Sequence, residues 1–100
     1  MLTKNNILLF LKNNQGELKK IYHVSKIGLF GSFARDDQSE KSDIDLMVEF
    51  DEKVEDIFEV KYKLKEYLKK NFNRNIEITR KKYLKSFAKE TILKETLYVE

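Results

Sequence analysis

One hundred residues, 41% hydrophobic and 12% aromatic, can build one core, and the 37% of charged residues leaves enough apolar surface for that core to fold. The chain has no cysteine and one histidine, which excludes disulfide frameworks, thiol catalysis and cysteine-ligated metals, and leaves His-based zinc sites and Ser-His-Asp triads without their parts. The net charge of +3 hides blocks of opposite sign: residues 36–60 carry two basic and eleven acidic side chains, residues 61–85 ten basic and two acidic.

The longest apolar run, Ile7 to Leu11, is far short of the roughly 20 residues of a membrane span. No basic start, apolar stretch and small-residue cleavage site follow one another at the N-terminus, so a cytoplasmic protein is expected. Thr3 can cap a helix over residues 4–13, with Ile7, Leu8 and Leu11 on one face, and Asn13-Asn14-Gln15-Gly16 interrupts it. A short helical turn over 17–22 follows. Val24 to Phe30 reads as a first strand, stopped at Gly31-Ser32, and Phe33-Ala34-Arg35 opens a short helix. Residues 36–42 are a polar loop.

Asp43 to Phe50 reads as a second strand. Ile44, Leu46, Val48 and Phe50 alternate with Asp43, Asp45, Met47 and Glu49, which gives one apolar face and one face carrying both aspartates. Ile57, Val60, Leu64, Leu68 and Phe72 form a single stripe, so residues 55–72 are the longest helix. Residues 75–79 read as a third strand with Glu77 at its centre. Residues 80–95 are expected to be helical, burying Tyr83, Leu84, Phe87, Ile92 and Leu93, and Leu97 to Val99 a last short strand. This order predicts a single domain over 1–100 of α/β (α+β) class, a small mixed sheet with helices packed on it.

Three features carry chemistry. Gly31 ends a strand where a helix begins, so the chain can turn sharply there and amides point outward to an anion; Ser32 adds a hydroxyl. Asp43 and Asp45, two apart on a strand, project to one face about 6.5–7 Å apart along the backbone. Such carboxylates repel unless solvent or a cation intervenes, and all-oxygen donors suit Mg²⁺ or Mn²⁺. If the third strand lies beside the second, Glu77 joins the same face, and three carboxylates would hold two ions able to clamp a polyphosphate. A solvated strand face is the competing reading of the acidic pair. Arg35 reads as a phosphate ligand or as a bridge to Asp36, Asp37 or Glu40. His23 reads as a structural or surface residue. The lysine-rich segment 61–85 has no aromatic–basic stacking pattern, so direct nucleic-acid binding is not expected; it is a solvated helix face or a positive wall beside a negative pocket.

Taken together, Gly31-Ser32-Phe33-Ala34-Arg35, a seven-residue loop and Asp43-Ile44-Asp45-Leu46 resemble the nucleotidyltransferase superfamily related to DNA polymerase beta. The likeness is to its minimal branch, the MNT proteins found beside HEPN-domain partners in prokaryotes. It runs from about residue 4 to the C-terminus. The resemblance implies a polymerase beta-like nucleotidyltransferase fold in which Gly31, Ser32 and Arg35 bind nucleotide and Asp43, Asp45 and Glu77 bind Mg²⁺ or Mn²⁺. It implies transfer of AMP from ATP to a tyrosine hydroxyl of a HEPN-type toxin, which makes the protein an antitoxin in a hetero-oligomer with its partner. Two positions depart from the pattern: Asp36 stands for the usual glycine, which adds charge or bulk at the pocket rim, and Glu77 for the usual third aspartate. They keep open an alternative, a nucleotide-binding antitoxin that neutralises by complex formation. An antibiotic-modifying transferase would usually need a second domain for its acceptor, and a templated polymerase would need room for primer and template.

Overall fold

In the computed structural model, which describes residues 1–100, the chain runs α1 (Lys4–Asn13), α2 (Gln15–Tyr22), β1 (Val24–Phe30), α3 (Gly31–Arg35), β2 (Ile44–Phe50), α4 (Ile57–Phe72), β3 (Ile76–Thr79), α5 (Ser86–Glu95) and β4 (Leu97–Tyr98), with a 3-10 turn at Lys81–Tyr83. The strands form one mixed sheet in the order β3-β2-β1-β4. β1 runs antiparallel to both β2 and β4, and β2 runs parallel to β3. The α+β architecture is the expected one. No helix is long and apolar enough to cross a membrane.

Local chemistry sets most of the boundaries. Thr3 and Asn6 form a reciprocal capping box at the start of α1, each side chain accepting from the other's backbone amide at 3.2 and 3.0 Å. The break between α1 and α2 falls at Asn14, whose side-chain amide donates to the Phe10 carbonyl at 2.8 Å. Gly16 therefore lies inside α2, which begins two residues earlier than expected. Asp56 caps α4 by accepting from the Glu59 amide at 3.1 Å, so that helix starts at Ile57 rather than at residue 55. His23 and Asn73 close α2 and α4 in the left-handed conformation, a role open to side chains that tolerate positive φ. His23 is exposed there, as a surface residue.

The core lies on one face of the sheet. Ile27 and Leu29 of β1, Ile44, Leu46 and Val48 of β2, and Ile76 and Ile78 of β3 pack against Ile7, Leu11, Leu18, Leu64 and Leu68 from α1, α2 and α4. The alternation read in β2 is thus the core face. Within the α4 stripe Leu64 and Leu68 are fully buried, while Ile57, Val60 and Phe72 are half-buried at its ends.

The other face is covered in part, and it corrects the reading of residues 80–95. Met47 shares it with Asp45 and Glu49, yet is fully buried, because the segment from the 3-10 turn through α5 covers that side. That segment is not one helix. Leu84 and Lys85 are extended, with ψ of 134° and 139°, and α5 starts only at Ser86. The interruption rotates Tyr83 and Phe87 outward, 68% and 83% exposed, so neither is a core residue; Leu84, Ile92 and Leu93 are half-buried.

Phe33 is the one core residue contributed by α3 and is fully buried. Its ring carries the Arg74 guanidinium 5.2 Å from its centroid. Replacing Phe33 by alanine is expected to cost about 3–5 kcal/mol, a large share of the roughly 5–15 kcal/mol typical of a domain. Urea unfolding measures this; a cost under about 1 kcal/mol would mean α3 is not anchored through this ring.

Candidate active site

The site is built on the second face of the sheet, where β1 ends. Residues paired across a sheet point to the same side, and the register pairs Phe30 with Asp45 and Asp45 with Glu77. The parallel pairing of β2 with β3 thus brings Glu77 directly beside Asp45. Asp43 lies one residue before β2, exposed, at the point where the Ile44 amide donates to the Asn75 carbonyl at 2.9 Å. The loop leading into Asp43 is pinned by Arg74, which donates to the carbonyls of Ser39 and Ser42 at 2.9 and 3.0 Å.

Gly31 has φ +77°, the left-handed region in which a side chain is strained. A Cβ there would run into Asp45 Oδ2 and stand 2.9 Å from Asp45 Cγ. The missing side chain is what lets the Asp45 carboxylate lie against the turn. Ser32 follows, half-buried in the first turn of α3, where backbone amides have no helical partner behind them.

Arg35 bridges to Asp37 at 3.1 Å, one of the contacts expected of it. It also meets a residue that nothing in the sequence reading singled out. Glu95, the last residue of α5, receives Arg35 Nη1 at 3.1 and 3.3 Å and accepts from the Gly31 amide at 3.1 Å. The available signal was weak: an acidic side chain in the last turn of a helix opposes the helix dipole and needs another reason to be there. Asp36 turns out not to crowd the rim. It caps α3 with φ 61°, which explains why glycine suits that position, and its carboxylate leaves the site to pair with Lys4 at 2.9 Å.

Burial pushes the Asp45 carboxyl up to about 6, and the neighbouring charges of Asp43 and Glu77 push the same way. Arg35 pulls it down and Glu95 adds to the rise. The face therefore carries an excess of negative charge that a cation would relieve. Asp43, Asp45 and Glu77 offer only hard oxygen donors, which fit Mg²⁺ or Mn²⁺ in kind. They do not converge into a ready three-carboxylate cage, nor does any other trio of Asp, Glu and His side chains. Asp43 and Glu77 are both exposed, with room to move, and Asp45 is half-buried, so the carboxylates stand on an open shelf.

The glycine turn and the acidic face thus meet at one end of a mixed sheet, and the whole chain has known relatives. Residues 11–99 match the family model of the nucleotidyltransferase domain. The chain is 40% identical over 100 residues to a Methanocaldococcus jannaschii protein classed as a protein adenylyltransferase, covering 99% of this chain and all of the relative. It is 34% identical over 99 residues to the protein adenylyltransferase MntA of Thermococcus cleftensis, covering 99% and 98% of the two chains. The fold matches the structure of a protein described as a minimal nucleotidyltransferase with TM-score 0.76 at 24% identity, over 96% and 95% of the chains. It also matches a toxin–antitoxin structure with AMP-PNP, TM-score 0.64 at 21% identity, over 97% of this chain and 72% of the other. This chain belongs to the nucleotidyltransferase domain family and is an enzyme of that class.

Proposed function

We propose that this protein transfers AMP from ATP to a tyrosine hydroxyl of a HEPN-type toxin in the cytoplasm and so acts as an antitoxin, in a hetero-oligomer with that partner. The acceptor oxygen bonds to the α-phosphorus, the bond to pyrophosphate breaks, and the hydroxyl proton leaves to water. Gly31, Ser32 and Arg35 would bind the phosphates; Asp43, Asp45 and Glu77 would hold Mg²⁺ or Mn²⁺. A divalent ion bound there supplies charge stabilisation for the phosphoryl group and the departing pyrophosphate. The observation that carries this reading is the register that lines up Phe30, Asp45 and Glu77, because it sets the acidic shelf against the Gly31 turn. The exposure of Asp43 and Glu77 supports an acceptor delivered on another macromolecule.

One observation favours a second reading, neutralisation by binding without transfer: the three carboxylates do not close into a metal cage. Glu77, longer than aspartate by one methylene, would be the reason. Intact-mass spectrometry of a HEPN-domain partner after incubation with this protein, Mg²⁺ and ATP separates the two. The expected result is the mass of one or more AMP groups, lost in the double variant Asp43→Asn/Asp45→Asn. A stable complex with no mass change would favour the second reading.

A further inference from the structure

Glu95 sits in contact with the donors assigned above to nucleotide phosphate. One of its oxygens takes the Gly31 amide at 3.1 Å, and both take Arg35 Nη1, at 3.1 and 3.3 Å. A carboxylate and a phosphate use the same partners, an outward backbone N–H and a guanidinium. We propose that Glu95 is a built-in competitor for the phosphate seat, which the nucleotide polyphosphate must displace, so that Glu95 sets how tightly the site takes its substrate. This rests on the nucleotide-binding reading of the same turn.

The fold holds Glu95 there by its backbone and leaves its side chain free to go. Tyr98 and Leu97 of β4 pair with Gly28 and Leu29 of β1, three and two residues before Gly31. Between them and Glu95 stands Thr96, buried, its hydroxyl donating to the Ile92 carbonyl at 2.6 Å. Gly28 is what admits this junction, since a Cβ there would lie 2.7 Å from Thr96 Cγ2. The Glu95 side chain is 21% exposed, and its carboxylate is carried on a flexible stem. The end of α5 offers it no compensation, because the dipole there disfavours an anion. Its partners are the Gly31 amide and Arg35, and its charge adds to the negative potential at Asp45. A polyphosphate arriving on the shelf repels Glu95 and offers the same donors a larger negative charge.

Titration calorimetry with α,β-methylene ATP, which cannot give up AMP, tests this on the full chain with Mg²⁺ present. Glu95→Ala and Glu95→Gln are each expected to tighten binding by about fivefold or more. Inorganic triphosphate should show the same gain, and adenosine, lacking phosphate, none. The glutamine variant keeps the shape of the side chain and is the one read if the alanine variant is unstable. Equal or weaker binding by the variants, with the wild type binding normally, would overturn the competitor role and leave the nucleotide reading standing. Absence of binding by wild type and variants alike would overturn both.

Discussion

Asp45→Asn is expected to stabilise the metal-free protein at neutral pH while abolishing nucleotidyl transfer. The Asp45 carboxyl is raised from 3.8 to about 6, first by burial and then by Asp43 and Glu77. The folded chain thus holds this proton more tightly than the unfolded chain. The contribution is fully present below the unfolded value of 3.8 and is lost as pH climbs through about 6. At pH 7.5 Asp45 is ionised and works against folding. A shift of this size corresponds to at most about 3 kcal/mol, and for a half-exposed group solvent screening reduces that to about 1–2 kcal/mol.

Neutral asparagine removes that opposition, so Tm should rise by several degrees at pH 7.5 and show little difference from wild type near pH 4. Transfer should fall by at least about 100-fold, the cost of removing one preorganised electrostatic group. Mg²⁺ should raise the Tm of wild type more than that of the variant, since a ligand stabilises only the state that binds it. Thermal melts with and without Mg²⁺ across this pH range, paired with the transfer assay, measure all three. A variant less stable than wild type at pH 7.5, or one that still transfers AMP, would sink the account of Asp45. The conflict between stability and chemistry is what an enzyme accepts when it gathers like charges at a site.

Gly31→Ala is expected to damage both fold and site. The backbone there has φ +77°, and the new Cβ would collide with the Asp45 carboxylate. Left-handed backbone costs a residue with a side chain about 1–2 kcal/mol. Displacing Asp45 adds to this, so about 2–4 kcal/mol is expected together with loss of nucleotide binding. Gly16→Ala is the control. A Cβ at Gly16, inside α2, meets nothing within 4 Å, and the change should stabilise by about 0.5–1 kcal/mol. Urea unfolding of both variants, with α,β-methylene ATP titrations, gives the comparison. If Gly31→Ala bound nucleotide as wild type does, the close fit of Asp45 on the turn would have no part in binding.

The sequence by itself determined whatever depends on short-range periodicity and local backbone chemistry. Alternation in Ile44, Leu46, Val48 and Phe50 marks a strand with one apolar face. The spacing of Leu64 and Leu68 marks a helix, and Gly31-Ser32 and Asp43-Ile44-Asp45 announce themselves as turn and acidic pair. Those patterns need only neighbours a few residues away. Tertiary structure decided which strands meet. Period two tells which face Glu77 takes, but only the parallel pairing of β3 with β2 sets it beside Asp45. Asp36 could be read as pocket rim until the left-handed cap aimed it at Lys4. Tyr83 and Phe87 have apolar spacing, but the break at Leu84 and Lys85 turns them to solvent. Glu95, 64 residues from Gly31, reaches the turn because β4 pairs with β1 beside a glycine that leaves room for Thr96. No local pattern encodes such a contact, since it exists only once the sheet has closed around it.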